Sequence, residues 1–159
     1  MSQVFAAQNV SSARLYGFNA AVTIDVSKAV RFYSTINYTY GRLKNADKTK
    51  LPLDHIPPVF GRTSFFITHA RFNAELYALY NGWKKLKDYN PSGEDNLQYA
   101  TPEGMPSWVT LNLKTTVPVT GFLSVQLGIE NIFDRNYRYF ASGFSAPGRN
   151  FIFALRGRF

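Results

Sequence analysis

The sequence predicts an all-β fold, an antiparallel up-and-down arrangement of strands of the kind that builds a barrel wall. Three observations carry that expectation. Apolar and polar residues alternate with a period of two in segment after segment. The connections between segments alternate short and long. The 14 Phe and 10 Tyr among 159 residues gather toward strand ends. Alternation of this length marks strands with one apolar and one polar face.

Seven strands follow in order. The first, Leu15 to Val26, puts Tyr16, Phe18, Ala20, Val22 and Ile24 on one face, against Gly17, Asn19, Ala21, Thr23 and Asp25. The second sets Phe32, Ser34, Ile36, Tyr38 and Tyr40 against Arg31, Tyr33, Thr35, Asn37 and Thr39. A weaker third runs from Arg62 to His69, with Phe65 and Ile67 on the apolar side. The fourth alternates Phe72, Ala74, Leu76, Ala78 and Tyr80 with Asn73, Glu75, Tyr77, Leu79 and Asn81. Val109, Leu111, Leu113, Thr115 and Val117 mark the fifth, and Leu123, Val125, Leu127 and Ile129 the sixth. The seventh carries Phe151, Phe153, Leu155 and Phe159 against Asn150, Ala154, Arg156 and Arg158, interrupted by Ile152 and Gly157.

Tight turns are expected at Ser27-Lys28, around His69 to Arg71, and at Pro118 to Gly121. The other connections, Lys44 to Pro58, Lys84 to Pro106 and Arg135 to Pro147, are long, polar and rich in Gly, Pro, Asn and Asp. Loops beyond about 12–15 residues are uncommon in compact domains and tend to be functional. Short turns at one end and long loops at the other are the arrangement of outer-membrane barrels, whose long loops are extracellular.

Alternation alone does not say which face meets water. A soluble barrel or sandwich buries the apolar face, and a membrane barrel turns it to lipid. Strand length favours the membrane, since these runs approach the ~9–11 residues of a barrel span rather than the soluble mode of ~5–6. So do the rings at strand ends: Tyr38, Tyr40, Trp83, Trp108, Phe133, Tyr137, Tyr139 and Phe140 are placed as interfacial girdles would be. Mean hydropathy is only −0.19, and no run reaches the ~18–20 apolar residues of a transmembrane helix. The first residues, Met1-Ser2-Gln3-Val4-Phe5, lack the basic and apolar regions of a signal peptide. An exported barrel is therefore expected to be represented here by part of a longer precursor.

The net charge of +8 would suit nucleic acid, anionic lipid or an anionic ligand. Rings and cations mostly occupy opposite faces or loops, which argues against an oligonucleotide-binding module. Cysteine is absent, removing disulfides and thiolate metal sites. No nucleophile stands beside a His and an acid, and no Gly-rich phosphate loop occurs, so an enzyme is not expected. A small soluble β-module remains the alternative.

The C-terminal part is specific enough to resemble a family. Asn131-Ile132-Phe133-Asp134-Arg135-Asn136-Tyr137, then Pro147-Gly148-Arg149-Asn150, then alternation to Phe159, resembles the end of TonB-dependent outer-membrane receptors. Weaker matches lie at Tyr16-Gly17-Phe18, at Tyr38-Thr39-Tyr40 and across Leu53 to Pro58. The resemblance implies a 22-stranded barrel with a plugged lumen. Residues 1–159 would supply about seven C-terminal strands, with the plug domain and signal peptide lying outside this sequence. Seven strands alone would leave unpaired edges in lipid, at several kcal/mol per unsatisfied backbone group.

The same resemblance implies uptake of a scarce nutrient, most often a ferric siderophore or related metal chelate, across the Gram-negative outer membrane. Expected partners are outer-membrane lipid and lipopolysaccharide, the TonB complex through the missing N-terminal part, the barrel-assembly machinery through the last strand, and the cargo. No cofactor, catalytic residue or resident metal is expected. Asn131, Phe133, Asp134, Tyr137, Pro147, Gly148, Arg149 and Phe159 are assigned to family motif and barrel assembly by the resemblance.

Among loop residues, His55, Trp83, Lys84 and Lys85 are the candidate cargo contacts. His69 lies by a short turn at the opposite end from His55, so the two cannot share a metal. Asp88, Glu94, Asp95 and Glu103 do not match a calcium loop and are expected to be solvated charge. The lysines of the long-loop side, Lys44, Lys48, Lys50, Lys84, Lys85 and Lys87, suit either glycolipid phosphates or steering of an anionic ligand. Glu130, Gln126, Lys114, Arg156 and Arg158 are expected to face the lumen.

Overall fold

In the computed structural model, which describes residues 12–45 and 47–158, seven long strands pair side by side, each antiparallel to the next. They are β1 (Ser12–Asp25), β2 (Val30–Lys44), β4 (Phe60–His69), β5 (Phe72–Asn81), β8 (Trp108–Pro118), β9 (Leu123–Glu130) and β10 (Asn150–Gly157), in that spatial order. The short β3 (Lys50–Pro52) folds back on the end of β2. Two further short strands, β6 (Lys84–Lys85) and β7 (Gly104–Met105), pair with each other within one long loop. The seven expected strands are all present, and β5 and β9 have the expected bounds.

Register shows why the alternation matters. Ile24, Phe32, Phe65, Leu76, Leu113, Ile129 and Phe151 are successive cross-strand partners, so one apolar row crosses all seven strands. One residue away, Asp25, Arg31, Phe66, Glu75, Lys114, Gly128 and Ile152 form a mainly polar row on the other face. Because the side-chain period is two, a one-residue slip would exchange the faces, so the pattern pins the pairing. The turns help: Ser27 Oγ accepts from the Ala29 and Val30 N–H groups, and Thr120 Oγ1 from those of Phe122 and Leu123.

Burial is inverted relative to a soluble protein. Along β8, Val109 is 54% exposed while Thr110 and Asn112 are 2% and 3% exposed. Ser64, Asn81 and Gln126 are buried on the polar face, whereas Phe151, Phe153 and Leu155 are open to the surroundings on the apolar one. The polar side chains bury one another. The Arg62 guanidinium lies 3.9 Å from the Tyr77 ring centroid, donates to Glu75 Oε1 at 2.5 Å, and donates to Ser64 Oγ at 3.0 Å. Tyr77 in turn donates to Glu130 Oε1 at 3.3 Å. A soluble sandwich would have covered the apolar face instead. Here a hydrogen-bonded polar wall backs a bare apolar one, which is the order required when the solvent outside is hydrocarbon.

One departure from the expected bounds has a local cause. β4 begins at Phe60, two residues early, although Gly61 interrupts its apolar pattern. Tyr80, directly opposite, lays its ring over that glycine, and its hydroxyl donates to Thr35 O on the strand beyond at 2.7 Å. A Cβ at position 61 would sit 2.4 Å from the Tyr80 hydroxyl oxygen, so only glycine leaves room.

Candidate functional site: the long-loop end

All three long connections, 45–59, 82–107 and 131–149, leave the same end of the sheet, opposite the three tight turns. They are tied together. Asp54 and Asp95 join the first two loops: Asp95 Oδ1 accepts from the His55 N–H at 3.0 Å, and Asp54 Oδ2 from the Glu94 N–H at 2.7 Å. His55 takes a left-handed backbone, φ 59°, to present that N–H. Its ring Nδ1 stands 3.2 Å from Asp95 Oδ1 and stays open to solvent. Asn96 donates to Ala141 O at 2.5 Å, and Arg138 to Tyr99 O, linking the second loop to the third.

Lys84 is the centre of this junction. Its ammonium is buried, donates to Ile56 O at 2.5 Å, and lies 4.8 Å from the Phe140 ring centroid. Burial pushes its pKa below the ordinary lysine value, while Asp95, Asp88 and Asp54 pull it back. Burial likewise lifts the Asp95 carboxyl, opposed by the His55 N–H bond. Asp54, His55 and Asp95 bring one ligand atom each within 4.8 Å of one another, and Asp54 Oδ1 is buried without a hydrogen-bond partner. The neighbouring Lys84 charge offsets these carboxylates.

The acidic residues of the second loop are therefore not all solvated charge, as composition suggested. Asp95 is a buried loop clamp, and Asp88 accepts from Arg42 Nη2 at 2.6 Å. Their partners lie 40 and 46 residues away, a distance that no local pattern reports. Lys85 and Trp83 remain at the surface, with the Lys85 ammonium 3.7 Å from the Trp83 ring centroid. Trp83 shares a hollow with Phe18, Tyr38, Tyr40 and Lys87 at the apolar face's upper margin. His69 lies at the opposite end, its Nδ1 accepting from the Arg71 N–H.

The stretch after β9 is a compact hydrogen-bonded turn. Asn131 and Asp134 both adopt left-handed backbone, with φ 50° and 53°. The Asn131 side chain accepts from the Arg135 N–H at 2.9 Å and donates to Arg135 O at 2.8 Å. Asp134 Oδ1 accepts from the Arg149 N–H at 2.7 Å, and Arg149 Nε donates to Ile132 O, so the Pro147-Gly148-Arg149 entry to β10 is strapped to the exit from β9. Phe133 is exposed. Phe159 lies outside the described residues.

Three girdle assignments need correction. Trp108 shares the polar face with Thr110 and Asn112 and is buried, and Tyr137 stacks on it with ring centroids 4.3 Å apart. Tyr139 meets Trp108 edge-on at 5.2 Å, and Trp108 Nε1 donates to Arg138 O at 2.9 Å. Burial raises the Tyr137 hydroxyl well above the ordinary tyrosine value. These rings close the inner margin of the wall, not its lipid margin. The parity of Trp108 with Thr110 is readable in the sequence, but its ring type points the other way, and Tyr137 and Tyr139 lie in a loop where no alternation places them. The rings that do hold the apolar margin are Tyr16 with Tyr40 and Phe18 with Tyr38, at 5.0 and 5.8 Å. Glu130, Gln126, Lys114 and Arg156 occupy the polar face as expected.

A single antiparallel sheet, polar within and apolar without, turned at one end and looped at the other, defines the wall of an outer-membrane β-barrel. The chain belongs to the family described as TonB dependent receptor-like, beta-barrel, whose model matches residues 2–132. It is 22% identical over 148 residues to the iron-regulated outer membrane virulence protein of two Vibrio cholerae serotype O1 strains, covering 92% of this chain. The chain spans 22% of the length of those relatives. Among solved structures it resembles the copper transporter OprC (TM-score 0.75, 18% identity, 92% of this chain and 24% of that one). It also resembles a mutant of the ferric enterobactin receptor PfeA of Pseudomonas aeruginosa in complex with enterobactin (TM-score 0.68, 18% identity, 94% of this chain and 23% of that one). At such identities the two structures speak for the fold. The family places the chain in the outer membrane and removes the soluble β-module.

Proposed function

We propose that this chain is the C-terminal wall and part of the outer loop surface of a receptor for a metal chelate, a ferric siderophore first among them. Energy would come from the TonB complex acting on an N-terminal plug outside this sequence. The last strand, with Phe159, would be read by the barrel-assembly machinery, and the long loops would face the cell exterior. His55, Trp83 and Lys85 are the loop side chains left accessible to cargo, whereas Lys84 would act through the loop junction it holds.

The observation that carries this reading is the inside-out wall capped by three mutually bonded loops, in a family with an iron-regulated relative. The test is uptake of radiolabelled iron chelates, with copper as the rival cargo, in an iron-starved strain that does or does not express the receptor carrying this segment. Receptor- and TonB-dependent uptake of a ferric siderophore is expected. Copper uptake without any ferric-chelate uptake would reassign the cargo.

A further inference from the structure

The first two long loops meet on a pair of carboxylates that their surroundings leave short of positive charge. Asp54 and His55 come from the 45–59 segment, and Asp95 comes from the 82–107 segment. One ligand atom of each lies within 4.8 Å of the other two. Among the described residues, neither carboxylate has a Lys or Arg ion-pair partner. Lys84 acts on them only at longer range, its ammonium being seated on Ile56 O and beside the Phe140 ring.

The pair is also short of hydrogen bonds. Asp54 Oδ2 accepts from the Glu94 N–H, but Asp54 Oδ1 is buried and accepts from no group among the described residues. A buried carboxylate oxygen left so is costly. Asp95, 2% exposed, turns both oxygens to a single N–H, that of His55, at 3.0 and 3.2 Å. Burial raises the Asp95 carboxyl, and the Asp54 charge beside it adds to the rise. Two carboxylates held together in this way are stabilised by a cation between them. A Cβ at Gly93 would overlap Asp54 Oδ1, so a glycine stands where the second loop closes over that oxygen. The His55 ring, open to solvent with Nδ1 3.2 Å from Asp95 Oδ1, stands at the entrance.

We propose that Asp54, His55 and Asp95 bind a divalent metal ion of the zinc type, which clasps the first long loop to the second. One imidazole and two carboxylates suit a borderline dication such as Zn(II), whose sites can take three side chains and keep water in the fourth position. Calcium takes about 6–8 oxygen ligands, which this set does not supply. The carboxylates ligate ionised and the ring neutral, so the ion displaces any proton they share. The clasp is a resident part of the loops and does not depend on which cargo the receptor carries.

The test uses the intact receptor in detergent, freed of metal with EDTA and its folding checked by heat-modifiable mobility. Zn(II) alone is titrated by calorimetry. Hydrogen exchange is followed at the His55 and Glu94 N–H groups, the amides that bond the two carboxylates. Zn(II) at a roughly tenfold excess over its dissociation constant is expected to slow both amides about tenfold. His55→Asn, which tolerates the left-handed backbone, is expected to weaken Zn(II) by at least the ~10–100-fold that loss of an outer partner costs. Asp54→Asn keeps an acceptor for the Glu94 N–H and is expected to lose Zn(II) equally. Its metal-free amides should nonetheless exchange as slowly as in wild type or more slowly, because a repelling charge is gone. His69→Asn, at the opposite end, is expected to keep the wild-type affinity. No Zn(II) binding, unchanged affinity in both loop variants, or Zn(II) binding that leaves these two amides unprotected would overturn the clasp.

Discussion

The backbone N–H of Asn131 donates to the side chain of Asn112 at 2.8 Å, so the turn leaving β9 is bolted to the polar face of β8. Asn112 spends its own donor group on Tyr77 O, at 3.2 Å, and on Thr110 O, at 3.3 Å, both within the buried wall. One asparagine thus joins β5, β8 and the turn before β10.

Removing Asn112 would leave the Asn131 N–H and the Tyr77 carbonyl without these partners. Asn112→Ala is expected to cost about 1–3 kcal/mol, the usual penalty for stranding a buried polar group. Asn131→Ala keeps the N–H that reaches Asn112 and removes instead the side-chain bonds to Arg135, so it should cost a similar amount and the double variant close to the sum. Urea unfolding of the receptor in lipid vesicles measures all three. A double variant costing far less than the sum would mean that the two sets of bonds are not independent.

The two faces can be told apart on the last strand. Phe153 pairs with Leu127 on the apolar face, and Ala154 with Gln126 on the polar one. Phe153→Arg is expected to cost ~2–4 kcal/mol at the bilayer midplane and to abolish outer-membrane accumulation, whereas Ala154→Arg should be much milder. Heat-modifiable gel mobility in outer-membrane fractions reads the difference. Equal folding of both would show that the faces are not lipid and lumen. Deletion of Phe159 is also expected to impair insertion, as the family motif implies.

Orientation is tested by a tag after the exposed Ser92 and another at Pro118. Labelling on intact cells is expected at the first site alone. The opposite pattern would invert the barrel.

The loop junction should respond to pH through Asp95. Burial raises its pKa, so the closed loops hold a proton more tightly than opened ones. Closure is therefore most penalised above the raised value and strengthens as pH falls through it. The gain levels off below the ordinary value of 3.8. Hydrogen-exchange protection of the His55 N–H, corrected for intrinsic rate, is expected to rise on acidification. In Asp95→Asn that rise should vanish. A rise that persists in the variant would assign the effect to another group.

Much of the wall is legible in the sequence, because a period of two sustained over seven segments leaves few alternatives. β5 and β9 were bounded correctly from Phe72 to Asn81 and from Leu123 to Glu130. Gly61 concealed the start of β4, since the ring that fills its place comes from Tyr80 on the next strand. The loop junction was not legible. Asp95 looked like one solvated acid among several, and only a partner 40 residues distant makes it a clamp. Trp108 misleads for a different reason: a ring at a strand end suits either margin of the wall, and parity, not residue type, decides between them, while Tyr137 follows Trp108 from a loop that no alternation reports.

The placement of the turns has an evolutionary consequence. The tight β1–β2, β4–β5 and β8–β9 connections, which set each hairpin's register, all lie at one end, and at the other end the straps of the 131–149 segment hold the entry of β10 to the exit of β9. Insertions or replacements in the 45–59 and 82–107 segments therefore leave the register of those hairpins undisturbed. Selection can rewrite those two loops while the scaffold stays constant, so descendants of one ancestor need not learn again how to fold.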